Sequence, residues 1–135
     1  MTELILVDTS VLIPYLKGDE NERVDRFSYI LDASIPFGIN SFVYQEVLQG
    51  VRNEKEFRMV QEYLGSQRFY RLRDEKRSYE EAAMLYYKCK KRGITIGSTI
   101  DCLIAQTALE NNIFLLHNDK DFDLMAQVAP LKFFK

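Results

Sequence analysis

Short apolar runs alternate along this chain with longer segments whose apolar residues return at helical spacing. The first run, Leu4-Ile5-Leu6-Val7, follows Glu3, ends at Asp8 and reads as a strand buried on both faces. Asp8, Thr9 and Ser10 then offer three capping side chains for a helix that carries Val11, Leu12, Tyr15 and Leu16 and breaks at Gly18-Asp19. A second helix is expected over residues 20–33, with Val24, Phe27, Ile30 and Leu31 on one face. Residues 35–39 form a weaker strand candidate, because Pro36 and Gly38 count against it. Asn40 or Ser41 can cap the next helix, with Val43, Val47 and Leu48 inward and Gly50 near its end.

The same reading gives a helix over 54–65 and an edge strand over 68–72. A long helix follows over 74–92, stopped by Gly93, which suits a left-handed turn. Ser98 opens a helix bearing Ile100, Leu103, Ile104, Ala108 and Leu109, and Asn111-Asn112 ends it. A strand over 113–116, a short helical turn with Phe122, Leu124 and Met125, and a strand over 131–134 complete the pattern. Strands alternating with helices predict a three-layer α/β/α fold with a mostly parallel central sheet of four or five strands. No linker, repeat or low-complexity segment intervenes, so residues 1–135 are expected to form one domain.

Composition agrees with a packed domain: 135 residues, 47% apolar and 28% charged. Cys89 and Cys102 are too few to staple a secreted fold and are expected to be reduced. Met1-Thr2-Glu3 leads into a strand rather than a signal peptide, and no apolar stretch reaches the roughly 18 residues of a membrane span. A cytoplasmic protein without a membrane partner is expected. Net charge is −2, yet residues 68–92 hold nine Lys/Arg against four acids, which leaves −7 for the rest. One region can therefore meet phosphates while another gathers carboxylates; a solvated helix face is the plainer reading.

The placement of the acids matters more. Asp8 follows the first strand, Asp119 and Asp121 follow Phe114-Leu115-Leu116, and parallel sheets bind ligands beyond the carboxyl ends of their strands. Glu46 and Asp101 lie among apolar neighbours, each about one turn past a cap. Like charges crowded there need compensation, which Mg²⁺ can supply through carboxylates, water and phosphate oxygens; such an ion also lowers the pKa of a bound water. Each acid has a plainer reading. Asp8 can simply cap a helix, Asp101 can close a capping box with Ser98, Glu46 can be a surface residue, and Asp119 and Asp121 can be turn residues. His117, the one histidine, ends an apolar run and is set aside as a general base. No Gly-x-Gly-x-x-Gly follows the first strand, and neither cysteine has partners for zinc or for thiol chemistry.

Together the motifs resemble the PIN-domain nucleases, in particular the VapC-like toxins of toxin–antitoxin pairs. The resemblance runs from Leu4 to Phe122 and rests on four segments: Leu6-Val7-Asp8-Thr9-Ser10-Val11-Leu12-Ile13, Ser41-Phe42-Val43-Tyr44-Gln45-Glu46-Val47, Ser98-Thr99-Ile100-Asp101-Cys102-Leu103-Ile104-Ala105 and Leu115-Leu116-His117-Asn118-Asp119-Lys120-Asp121-Phe122. His117 departs from the Thr usual in the family there. The resemblance implies a Mg²⁺- or Mn²⁺-dependent endoribonuclease whose metal is held by Asp8, Glu46, Asp101 and Asp119, with Asp121 able to assist or substitute. It also implies a homodimer restrained by a cognate antitoxin at the acidic groove. Thr9, Ser10, Thr99 and Asn118 are candidate supports for the acids or for a phosphate, and equally ordinary helix starters or turn residues. Lys88, Lys91 and Arg92 are the candidates for RNA-backbone contact. Tyr79, Ala83, Tyr86 and Tyr87 share helical register and are expected either to close the dimer or to cover the sheet. The competing functions are a DNA-directed nuclease of the same fold and a non-catalytic binding or regulatory module.

Overall fold

A computed structural model describes residues 4–135; the reading of Met1-Thr2-Glu3 lies outside them. Five strands, β1 (Ile5–Val7), β2 (Gly38–Ile39), β3 (Arg68–Phe69), β4 (Phe114–Leu116) and β5 (Lys132–Phe133), form one sheet in the order β3-β2-β1-β4-β5. All four pairings are parallel. The registers are Leu6 beside Gly38 and Leu115, Gly38 beside Arg68, and Phe114 beside Lys132. The sheet is three-layered as expected, and at the upper end of the expected strand number.

Seven helices connect the strands among the described residues: α1 (Thr9–Lys17), α2 (Glu22–Asp32), α3 (Ser41–Gln49), α4 (Glu54–Gly65), α5 (Arg77–Lys91), α6 (Thr99–Asn111) and α7 (Lys120–Met125). With the right-handed crossovers that parallel strands adopt, this strand order puts α1–α4 on one face and α5–α7 on the other. Helix–helix contacts follow that grouping, apart from α3 meeting α6, where Asn40 donates to Thr107 at 3.2 Å. Ile5, Leu6, Val7, Leu115 and Leu116 are buried at the centre, which explains why the two middle strands read as unbroken apolar runs.

The caps explain most of the boundaries. Asp8, Asn21, Asn40, Asn53, Ser98 and Asp119 each turn a side-chain oxygen onto a first-turn amide. Between the two candidates for α3, Asn40 is the cap. The helix expected from residue 74 starts later, at Arg77, because the Asp74 carboxylate accepts the Lys76 and Arg77 amides at 2.8 and 2.7 Å and folds those residues into a turn. Gly93 takes the expected left-handed conformation at φ 78°. Gly38 is not a flaw in β2: a Cβ there would stand 2.5 Å from the Tyr70 ring and 2.7 Å from the Arg68 carbonyl. The glycine lets β3 and the following Tyr70 close against β2.

Candidate active site

The strand order makes β1 the switch point. The chain leaves β1 towards β2 and β3, then returns to β4 on the other side. Open α/β sheets bind ligands at the carboxyl ends of strands beside such a point. Asp8 ends β1 there, and residues 117–121 leave β4 there.

Asp8 caps α1 and continues the sheet, its amide donating to the Leu116 carbonyl at 3.0 Å. Its carboxylate is 2% exposed. Oδ2 accepts the Ser10 amide at 3.0 Å and the Ser10 hydroxyl at 2.6 Å, while Oδ1 is buried with no hydrogen-bond partner. Burial raises the Asp8 pKa against the opposing bonds from Ser10 and Thr9. The Ser10 hydroxyl also accepts the Asn118 amide at 2.8 Å, so it ties the start of α1 to the loop after β4. Asn118 thus serves through its backbone.

Asp101, Asp119 and Asp121 bring one carboxylate oxygen each to within 4.8 Å of one another. Asp119 caps α7 through Asp121 N at 3.0 Å, and Asp121 Oδ2 accepts the Gly97 amide at 3.0 Å. The capping box expected of Asp101 does not organise this end of α6, because Ser98 Oγ accepts the Ile100 amide at 3.1 Å instead. Asp101 is left facing other acids. Burial first, then the charges of Asp8, Asp119, Asp121 and Glu46, raise its pKa to about 7. Glu46 is exposed on α3 while Val43 and Val47 are buried, and its pKa is raised by burial and then by Asp8. Asp8 and Glu46 therefore share the field of the trio without joining its close-packed oxygens. Beside the Ser10 bonds, the Thr9 amide helps to lower the Asp8 pKa, and Thr99 is exposed at the first position of α6.

These donors fit a hard divalent cation. All are carboxylate oxygens, one buried oxygen lacks a partner, and a clustered acid resists ionisation until positive charge arrives. Cys89 and Cys102 are buried free thiols whose pKa values burial raises, which disfavours thiolate ligation.

His117, set aside as a base on its sequence position, is buried. Its ring lies against Phe122 and Phe133, with centroids 5.0 and 4.7 Å away, and burial lowers its pKa. Sequence reading missed two local clamps, Asp119 N to His117 Nδ1 at 3.1 Å and Gly97 N to Asp121. An acceptor two residues before a helix cap is a visible signal for the first; nothing local announces the second.

Of the basic candidates, Arg92 already donates to the Gln127 carbonyl at 2.8 Å, while Lys88 and Lys91 are exposed. The buried face of α5 is Ser78, Ala82, Leu85 and Cys89. Tyr79 and Tyr87 are 43% and 55% exposed and do not cover the sheet; Tyr86 is half-buried against the core. No helix among the described residues is long and apolar enough to cross a membrane.

Comparison with known proteins gives a consistent picture. The chain is 23% identical over 130 residues to the VapC ribonuclease Mb1587 of Mycobacterium bovis and to ribonuclease VapC11 of Mycobacterium tuberculosis, covering 96% of each chain. The fold is similar to VapBC2 from Rickettsia felis bound to a promoter DNA fragment, with TM-score 0.72, 15% identity and 97% of both chains covered. It is also similar to VapBC-1 from nontypeable Haemophilus influenzae, with TM-score 0.70, 23% identity and 98% and 97% covered. The PIN domain model matches residues 5–128, which takes in β1, the acid-bearing helices α3 and α6, and the loop after β4; the chain belongs to the PIN-domain family.

Proposed function

We propose that this protein is a Mg²⁺- or Mn²⁺-dependent endoribonuclease and the toxin of a toxin–antitoxin pair. The observation that carries the reading is the carboxylate cluster at the sheet's switch point, where Asp101, Asp119 and Asp121 converge beside the unpartnered buried oxygen of Asp8. Likeness to proteins named ribonucleases supports RNA as the substrate.

Asp8, Glu46, Asp101 and Asp119 are assigned as the acids that hold the metal, with Asp121 an equal partner of Asp119. When bound, a divalent cation neutralises charge on the scissile phosphate and favours ionisation of a water for attack. The chain's own residues prepare for it. Ser10 fixes Asp8 through Oδ2 and leaves Oδ1 free. The Asp121 and Gly97 amides each hold one oxygen of Asp119 and Asp121, which sets the carboxylate planes. Asp101, whose neighbours raise its pKa to about 7, would release its proton where a cation is held. Exposed Lys88 and Lys91, with Arg92 held nearer the body, are assigned to take backbone phosphates on approach to an otherwise repulsive site.

A protein partner is supported by an exposed groove between α1 and α4, about 600 Å³, where Tyr15, Leu16, Met59, Val60 and Tyr63 are flanked by Arg52, Asn53, Lys55 and Glu56. The structural neighbours VapBC2 and VapBC-1 support an antitoxin as a partner, restraining the protein at the acidic groove. The outward Tyr79 and Tyr87 support a homodimer.

The deciding experiment is cleavage of a mixed cellular RNA pool, with single-stranded DNA in parallel, by wild-type and Asp8→Asn protein in Mg²⁺ or EDTA, read by end mapping. Discrete RNA ends are expected only from wild type with metal. Cutting that persists in EDTA or in Asp8→Asn would overturn the metal mechanism. Cutting of DNA alone would reassign the substrate, and no cutting of either would favour a binding module.

A further inference from the structure

We propose that His117 is a positioning residue whose Nδ1, by accepting the Asp119 amide, sets where the Asp119 carboxylate stands in the site. The inference rests on the metal-site reading above and adds a residue to it.

A backbone amide can only donate, so the 3.1 Å contact from Asp119 N requires a bare Nδ1. The neutral ring then carries its hydrogen on Nε2, the nitrogen 3.4 Å from Asp123 Oδ1 on the first turns of α7. Phe122 and Phe133 fix the ring plane, and at 5% exposure little water can replace the bond. The contact is the first of three in series. His117 holds Asp119 N, Asp119 Oδ1 holds Asp121 N, and Asp121 Oδ2 holds Gly97 N. Two of the three clustered carboxylates are thus oriented downstream of one imidazole nitrogen. The arrangement is the imidazole counterpart of an Asx turn, in which a side-chain acceptor takes the amide two residues on. Asn or Thr at 117 could keep that acceptor, whereas Leu would keep the bulk and lose it.

A single histidine makes the test direct. In protein labelled with ¹⁵N-histidine, ring spectra at neutral pH should show a bare Nδ1 and a protonated Nε2; the opposite tautomer would overturn the proposal. Mn²⁺ titrations by calorimetry on folded variants give the second readout. His117→Leu should bind Mn²⁺ at least about tenfold more weakly, and His117→Asn or His117→Thr should recover most of that loss. Unchanged affinity in His117→Leu, or an Asn variant as weak as Leu, would overturn it. If the Leu variant fails to fold, the tautomer and the Asn and Thr variants decide: the wrong tautomer, or tenfold weakening in both acceptor variants, would refute the role. Wild-type protein that takes up no Mn²⁺ would instead remove the metal-site reading itself, and this role with it.

Discussion

The Ser10 hydroxyl donates to Asp8 Oδ2 at 2.6 Å and at the same time accepts the Asn118 amide at 2.8 Å. Two segments more than a hundred residues apart are joined through one oxygen. Ser10→Ala should therefore act twice, removing the shorter of the two bonds to Asp8 Oδ2, which keeps the residue-10 amide, and freeing the Asn118 amide. A stability loss of about 1–3 kcal/mol is expected by denaturant titration. Mn²⁺ affinity should fall roughly 10–100-fold, and an unchanged affinity would mean that Asp8 is oriented without Ser10.

Asp8→Asn should separate folding from catalysis. The amide oxygen can still accept from Ser10, so α1 keeps its cap, while the ligand charge is lost. Cleavage should drop on the order of 10²-fold or more, with the far-ultraviolet spectrum unchanged. Melting of the metal-free variant should be no lower than wild type, because burial already opposes ionisation of Asp8.

Asp101 gives a pH dependence with a defined sign. Its folded pKa, about 7, lies above the ordinary carboxylate value of 3.8. The folded state therefore holds a proton that the unfolded chain has released, and stability from this group is full below about pH 4 and lost as pH rises through about 7. Metal-free protein should show this decline in Tm, and Asp101→Asn should flatten it. Mn²⁺ competes with the same proton, so its apparent affinity should weaken up to about tenfold per pH unit below that pKa.

The basic residues are best tested without Arg92, whose bond to the Gln127 carbonyl would confound the result. Lys88→Ala with Lys91→Ala should weaken RNA binding and reduce the salt slope by up to about two contacts, leaving the cleavage position nearly unchanged. A shifted cleavage position would mean that these lysines read bases or shape.

Tyr79 and Tyr87 present aromatic surface on the outer face of α5. Light scattering should return twice the 15.9 kDa chain mass for wild type, and the monomer mass for Tyr79→Glu with Tyr87→Glu. A wild-type monomer at micromolar concentration would reject the homodimer.

The sequence by itself determined the elements and the layer order, because both depend on local signals. Unbroken apolar runs identify the buried strands, helical spacing marks the faces, and side chains such as Asp8, Asn40 and Ser98 cap the helices they precede. It placed acids at strand ends for the same reason. Where a local signal had competitors it erred, as at Asp74, whose carboxylate made a turn rather than the first turn of α5. Tertiary structure alone decided which acids meet. Asp101 is tied by sequence to Ser98, yet α6 packing sets it against Asp119 and Asp121. It brought Asp121 beside Asp119, its carboxylate held by the Gly97 amide from the loop before α6. It also turned Tyr79 and Tyr87 outward, because Ala82, Leu85 and Cys89 filled the face against α6. Periodicity tells which residues share a face, and carboxylates placed by separate strands and helices reach one point only after the sheet has closed between β1 and β4.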